Sequence, residues 1–231
     1  MTHPIVSHEE WLKARKQHLA KEKEFTRLRE ELSRERRELP WERVEKSYVF
    51  DAPEGRVTLA DLFGKHGQLI VQHFMFGPDW NEGCPNCSFW SDNFNGIDGH
   101  LAARDTAFVL ISRGPLDRLE AYKKRLGWTF RWVSSAGGDF NFDFGVSFVK
   151  GSDAAGPNYN YGSSSVGGEE MPGVSAFRRG DDGAIYHTYS TYGRGIDVLN
   201  GTYQLLDLTS KGRDESGLPY PMAWVKRHDR Y

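Results

Sequence analysis

The sequence predicts an α/β domain, a central mixed sheet flanked by helices, preceded by a long N-terminal helix. Three observations predict it. Residues 69–74 and 106–112 are short, nearly continuous apolar runs, which suit central strands covered on both faces. Each is followed by a stretch of helical period, so residues 66–126 read β-α-β-α, which implies a parallel pair and a right-handed crossover. Residues 174–178 and 184–190 enclose Arg179-Gly180-Asp181-Asp182-Gly183, an antiparallel hairpin signal with Asp-Gly at the turn.

The N-terminal helix spans residues 7–39. Ser7 and Glu10 form an S-x-x-E capping box, and Pro40 ends the run. Trp11, Leu12, Leu19, Phe25, Leu28, Leu32 and Leu39 keep to a narrow stripe, while 18 positions are Lys, Arg or Glu. Such a helix cannot sit inside a core. It is an arm, residues 1–40, that lies along the surface or pairs with a second copy in a homodimer. Its alternating charges cancel locally, which argues against nucleic acid. Residues 41–231 form the domain.

Residues 48–50 and 56–59 flank a Pro/Gly turn and read as a hairpin. Thr58 or Asp61 then caps a short helical turn through 62–64. A helix follows Cys87, breaks at Asn95-Gly96 and resumes over 97–103. Residues 116–126 are helical, with Leu116, Leu119, Tyr122 and Leu126 on one side and Gly127 as the stop. Residues 130–134 read as a short edge strand. Residues 139–146 alternate polar and aromatic and fit either a strand or a one-turn helix. Residues 151–173 are a Gly/Ser/Asn/Tyr-rich loop, long enough for a lid or an insertion. A final helix over 196–208 carries Ile196, Leu199, Tyr203 and Leu206 on one face, and the tail from Ser210 wraps the surface.

Composition narrows the function. The net charge of -2 calls for neither nucleic acid nor an anionic membrane. No run of 18 apolar residues suggests a membrane span, and no secretory signal is visible, so a cytoplasmic location is expected. There thiols stay reduced, and two cysteines spaced C-x-x-C are reactive or metal-binding rather than a staple. The 14 Phe, 10 Tyr and 7 Trp suggest an aromatic surface or core in the C-terminal half.

Cys84-Pro85-Asn86-Cys87 holds the only two cysteines. A strand, a loop and a C-x-x-C opening a helix is how a thioredoxin-like fold presents a redox pair. Pro85 suits the first helical position, which places Cys84 at the N-cap and Cys87 one turn inward. Unpaired N–H groups and the positive dipole end favour a thiolate on Cys84. Cys87 can then reach back to a mixed disulfide on Cys84. Zinc uses the same spacing, but a ribbon needs a second pair, and Arg104, Asp105 and Thr106 fill the places of a finger's second histidine. His73, on the strand feeding the loop, and His187, on the neighbouring hairpin, are candidates for a proton acceptor near Cys84 or for metal ligands beside it, although a structural histidine is the commoner case. Glu82 and Asp79 are further candidates for proton transfer from Cys87, and Trp80 for substrate contact.

Residues 57–64, 68–74 and 83–88 resemble the opening of thioredoxin-like proteins of the peroxiredoxin and cytochrome-maturation type. More closely, Glu10-Trp11, Leu39-Pro40-Trp41, residues 73–80, Asp139-Phe140-Asn141, residues 187–192, Asp207-Leu208-Thr209 and His228-Asp229-Arg230-Tyr231 resemble an uncharacterised family of bacterial thioredoxin-like proteins, filed as a domain of unknown function. The resemblance spans nearly the whole chain and implies the fold. Two departures stand out. Pro78 and Asn81 do not meet the pattern that precedes a peroxidatic cysteine. Val174 stands where a thioredoxin places a cis-proline, which keeps metal off the cysteines.

The expected function is thiol-disulfide oxidoreduction, with Cys84 as nucleophile and Cys87 resolving, acting on a protein or small-molecule thiol or disulfide and needing no cofactor. Two other readings stay open. One is a metal-thiolate protein in which Cys84, Cys87, His73 and His187 hold copper or zinc. The other is a non-catalytic binding module using the aromatic half and the 151–173 loop.

Overall fold

A computed structural model describes residues 3–149, 159–162 and 168–231. The chain divides into two compact units, Met1–Pro40 and Trp41–Tyr231. The first is a single helix, α1 (His8–Arg37). Ser7 Oγ accepts from Glu10 N–H while the Glu10 carboxylate accepts from Ser7 N–H, which closes the capping box. Glu9 and Glu10 in the first turn and Arg34, Arg36 and Arg37 in the last suit the helix dipole. No residue of α1 is buried, and Trp11, Phe25, Leu28 and Leu32 are all exposed.

The second unit is built on one sheet of eight strands among the described residues. In chain order they are β1 (Glu42–Arg43), β2 (Val49–Ala52), β3 (Gly55–Thr58), β4 (Gln68–His73), β5 (Thr106–Ser112), β6 (Arg131–Ser134), β7 (Gly173–Arg179) and β8 (Ile185–Tyr192). The spatial order is β1-β8-β7-β4-β5-β6-β2-β3. β4, β5 and β6 run parallel, while β7 pairs antiparallel with β4 and with β8. The sheet is therefore mixed, with β4 near its centre, and the fold is thioredoxin-like.

The helices of this unit are α2 (Leu59–Leu62), α3 (Pro85–Asp92), α4 (Asp98–Ala102), α5 (Leu116–Arg125), α6 (Phe140–Asp143) and α7 (Gly201–Leu206). α2 starts earlier than the sequence suggests, because Thr58 and Asp61 form a capping box of their own. Residues 139–146 resolve as the one-turn α6. β6 is not an edge strand, since Asp51 of β2 pairs with Ser134 and carries the first hairpin onto that side. The final helix is split: a 3-10 segment (Gly193–Leu199) ends at Asn200, whose side chain accepts from Tyr203 N–H and caps α7. Leu199 is thereby left exposed rather than on the buried face. The 151–173 loop lies largely outside the described residues.

The pleat of β4 distributes its side chains to two cores. Leu69 and Val71 point to one, with Phe50, Phe63, Val109, Phe140 and Phe177. Ile70 and Phe74 point to the other, with Cys87, Trp90, Leu110, Leu119, Tyr122 and Trp132. Trp132 anchors the second core. It is fully buried, lies 4.7 Å from the Phe74 ring and donates from Nε1 to Ser112 Oγ at 3.0 Å. Trp132→Ala is expected to destabilise the chain by about 3–5 kcal/mol in denaturant unfolding, the usual cost of emptying a buried indole site.

Candidate active site

After His73 the chain passes through Phe74, Met75 and Phe76 and turns back. Cys84 N–H donates to Met75 O at 3.0 Å. The Met75 N–H points to the Cys87 sulfur. One residue past the end of β4 therefore positions both cysteines. Gly83 is required for this return: a Cβ there would lie 2.5 Å from Phe74 Cε1 and 3.0 Å from Tyr122 Cε1, two buried rings. Cys84 is the N-cap of α3 and Pro85 its first residue. Ser88 N–H and Oγ donate to Cys84 O at 3.0 and 2.9 Å.

The two thiols differ in what surrounds them. Cys84 is partly exposed, and its pKa is drawn down to about 7. The Cys87 S–H donates to it, and the N–H groups of Cys87 and Asn86 add to that. The positive charge of Arg227 helps as well, and together these outweigh the effect of burial. Cys87 is buried and pushed well up, first by burial, then by its hydrogen bond to Cys84 and the charge of that neighbour. Cys84 is therefore the first of the two to lose its proton as pH rises.

Arg227 comes from the far end of the chain. It donates from Nε to Tyr122 Oη at 2.8 Å and from Nη2 to Gly83 O at 2.7 Å, and its Nη1 lies 3.2 Å from Glu82 Oε2. Arg125 and Arg230 also pair with Glu82, and Arg125 grips Asp229. Tyr122 Oη and Ser88 Oγ are 2.9 Å apart, which links α5 to α3 behind the loop. On the Cys87 side stands Glu170, only 2 % exposed. It accepts from Ser147 Oγ at 2.8 Å and from Arg113 Nη1 at 3.0 Å. Burial nevertheless raises its pKa, and its charge reaches Cys87.

Of the residues expected from the sequence, Cys84, Cys87, Trp80 and Glu82 share this place. Trp80 and Met75 pack in the same apolar cluster as Cys84 and Val174, with the indole lying over Gly77. Burial acts to raise the Glu82 carboxyl, but Arg125, Arg227 and Arg230 prevail and hold it below its ordinary value. It is thus a fixed counter-ion rather than a mobile proton carrier. Asp79 is exposed.

His73 and His187 are elsewhere. Gln72, not His73, faces α3, accepting from Ser91 Oγ at 3.0 Å. The pleat turns His73 to the opposite face, where its ring stacks on Phe140 and Phe144. His187 packs edge-on against Phe144 on that same face. Among the described residues no three His, Cys, Asp or Glu side chains converge on a point that could hold a metal ion. The metal-thiolate reading is left without a third ligand there. No cis peptide occurs among the described residues, and Val174 stands in the register opposite Gln72.

Sequence reasoning missed Arg227, Tyr122 and Glu170. Arg227 directly precedes the closing His228-Asp229-Arg230-Tyr231, but nothing local ties it to a loop far away in the chain. Glu170 gives no signal at all, since its burial arises from tertiary packing.

These shifts set a pH dependence. Alkylation of Cys84 should reach half its maximal rate near pH 7 and should outpace Cys87 throughout, as read by mass after timed labelling. Arg227→Ala should move that midpoint upward. The folded state prefers the Cys84 thiolate, so the reduced chain should gain stability as pH rises from about 7 towards 9 and lose it as pH falls through about 7. Cys84→Ser should flatten this rise.

No curated protein matches the sequence. Among solved structures, the chain is similar to a cysteine-to-serine variant of PrxQ from Xylella fastidiosa, at 14% identity over 71% of this chain and 95% of that one, with a TM-score of 0.45. It is similar to the peroxidoxin BcpB from Mycobacterium tuberculosis, at 14% identity over 71% and 96%, with a TM-score of 0.47. It is also similar to the mitochondrial 2-cys peroxiredoxin from Plasmodium falciparum, at 13% identity over 78% and 98%, with a TM-score of 0.44. These likenesses carry nothing about the reaction. Over residues 1–231 the sequence matches the model of DUF899, described as a bacterial protein of unknown function, and the chain belongs to that family.

Proposed function

We propose that the chain is a thiol-disulfide oxidoreductase in which Cys84 attacks and Cys87 resolves. One observation carries this reading: Cys84 stands at the N-cap position of α3 beside the more deeply buried Cys87, where the Cys87 S–H and the N–H groups of Cys87 and Asn86 draw its pKa down. A thiolate is the attacking species, and a pKa close to ambient pH gives a large thiolate fraction without sacrificing nucleophilicity.

The electrons balance over two exchanges. The Cys84 thiolate attacks one sulfur of a substrate disulfide, and the other sulfur leaves as a thiolate that takes a proton from solvent. The Cys87 thiol then loses its proton and attacks Cys84 Sγ. The bond between Cys84 and the substrate breaks, and the second substrate sulfur leaves as a thiol. The substrate gains two electrons, and the pair becomes a Cys84–Cys87 disulfide. Run backwards, the same steps oxidise a dithiol. The proton that Cys87 gives up passes to the departing substrate sulfur. Loss of the Cys84 negative charge on forming the mixed disulfide removes one of the causes that hold the Cys87 proton in place. Trp80, Met75 and Val174 supply the apolar ground on which a substrate would rest.

A redox titration with thiol alkylation and mass detection should show a reversible intramolecular Cys84–Cys87 bond. The reading fails if the two cysteines never pair. Cys87→Ser should accumulate a mixed disulfide on Cys84 and so identify the partner.

A further inference from the structure

On the sheet face away from the cysteines lies a cleft of about 510 Å³. One wall is residues 42–48, the other is residues 142–145, and β8 forms the floor with His187 and Tyr192. Rings line it: Tyr48, Phe142, Phe144, Tyr161 and Tyr192. Its size and its aromatic lining suit a small-molecule site. The hydroxyls of the last two tyrosines are already used, Tyr161 Oη on Ser190 O at 2.9 Å and Tyr192 Oη on Phe144 O at 3.0 Å. They therefore offer the cleft their ring surfaces.

The one imidazole of the cleft is wired into the core. His187 Nε2 and Ser190 Oγ are 2.7 Å apart, Ser190 Oγ and Ser175 Oγ are 2.7 Å apart, and Ser175 Oγ and His73 Nε2 are 2.7 Å apart. His73 is 1 % exposed, and among the described residues its Nδ1 has no hydrogen-bond partner. Burial, and then the nearby His187, depress its pKa to about 3, so it is neutral and carries one ring proton. A proton on Nδ1 would be a buried orphan donor, which is rarer in proteins than an unsatisfied acceptor. The proton therefore sits on Nε2 and is donated to Ser175. Each hydroxyl then donates onward, Ser175 to Ser190 and Ser190 to His187 Nε2. The Glu42 carboxylate beside His187 Nδ1 can only accept, which puts the His187 proton on Nδ1 and leaves Nε2 to accept from Ser190. That N–H meets only Glu42 Oε2, loosely, at 3.4 Å from a side chain 81 % exposed.

We propose that this cleft binds a small, planar, uncharged aromatic molecule whose carbonyl oxygen accepts from His187 Nδ1–H in place of Glu42. The rings of the lining fix the flat body. The relay through Ser190 and Ser175 to His73 fixes the donor. The rim settles the charge: Glu42, Glu45 and Asp143 stand against Arg43 and Lys46, and Lys46 is already held by Asp139 and Asp143 at 2.8 and 2.7 Å. An anionic ligand would meet the Glu42 carboxylate at the donor itself, so a neutral carbonyl is preferred over a carboxylate. The cleft is separate from the cysteine pair, and this inference does not depend on the redox reading.

Benzamide serves as the probe, with benzoate as its anionic counterpart and toluene as the ring without an acceptor. The full-length chain, labelled with nitrogen-15 in histidine, is titrated with each and followed at the imidazole resonances. Benzamide should shift the His187 signals saturably, with the proton on Nδ1, and should bind more tightly than benzoate or toluene. His187→Ala should weaken it by about tenfold, the worth of one good hydrogen bond. Ser190→Ala, which frees the tautomer, should weaken it less. Tyr161→Ala, at an exposed position, should also weaken it, and Cys84→Ser should change nothing. No saturable shift at His187, a resting proton on Nε2, equal affinity for benzoate, or unchanged binding after both His187→Ala and Tyr161→Ala would each overturn the proposal.

Discussion

Everything at the cysteine site depends on the backbone of Met75. Its carbonyl takes the Cys84 N–H and its N–H faces the Cys87 sulfur. A strand end and a helix start are thereby locked together through the main chain of one residue. The loop between them must double back under Phe74 and Tyr122, which is why a residue lacking Cβ stands at position 83. Once the return is made, the helix supplies its own unpaired N–H groups to Cys84. The difference between the thiols then follows from depth: one sulfur lies at the mouth of the helix and the other one turn inside the core.

The charge around the site is balanced from a distance. Three guanidiniums converge on Glu82, and two of them belong to the last few residues of the chain. His228 adds a contact to Asp92 at the end of α3, 2.7 Å away. Upstream, Glu215 gathers the tail by accepting from Tyr203, Met222 and Trp224. The tail is thus part of the site's wall. Without it the Gly83 carbonyl and the Tyr122 hydroxyl would each lose a charged donor, and the thiolate of Cys84 would lose a cation. Hydrogen bonds of that kind are worth more than neutral ones because one partner is ionised.

The sheet works as a partition. Successive residues of β4 alternate between two cores, so Gln72 and His73, adjacent in the chain, serve different sites. The cysteines, α3, α5 and the tail occupy one side, and the histidine and serine relay, α6 and the aromatic cleft occupy the other. Polar groups in the relay survive burial because nearly every one of them is bonded to the next. The buried His73 at one end and the Glu42 carboxylate at the other set which way the relay's protons point.

Much of this was written locally. The capping boxes at Ser7 and Thr58, the hairpin turns, the apolar runs of β4 and β5, and Pro85 after Cys84 are short-range signals, because caps, turns and period report on neighbours within a few residues. They sufficed for the α/β class, the mixed sheet and the place of Cys84 at the start of a helix. Tertiary structure decided the rest. β6 lies inside the sheet because the first hairpin pairs with it, and the last helix breaks because Asn200 caps a new turn. His73 left the cysteines because side chains one residue apart on a strand point to opposite faces, a matter of parity that proximity in sequence hides. Arg227 and Glu170 joined them because packing brings together groups that no spacing rule connects.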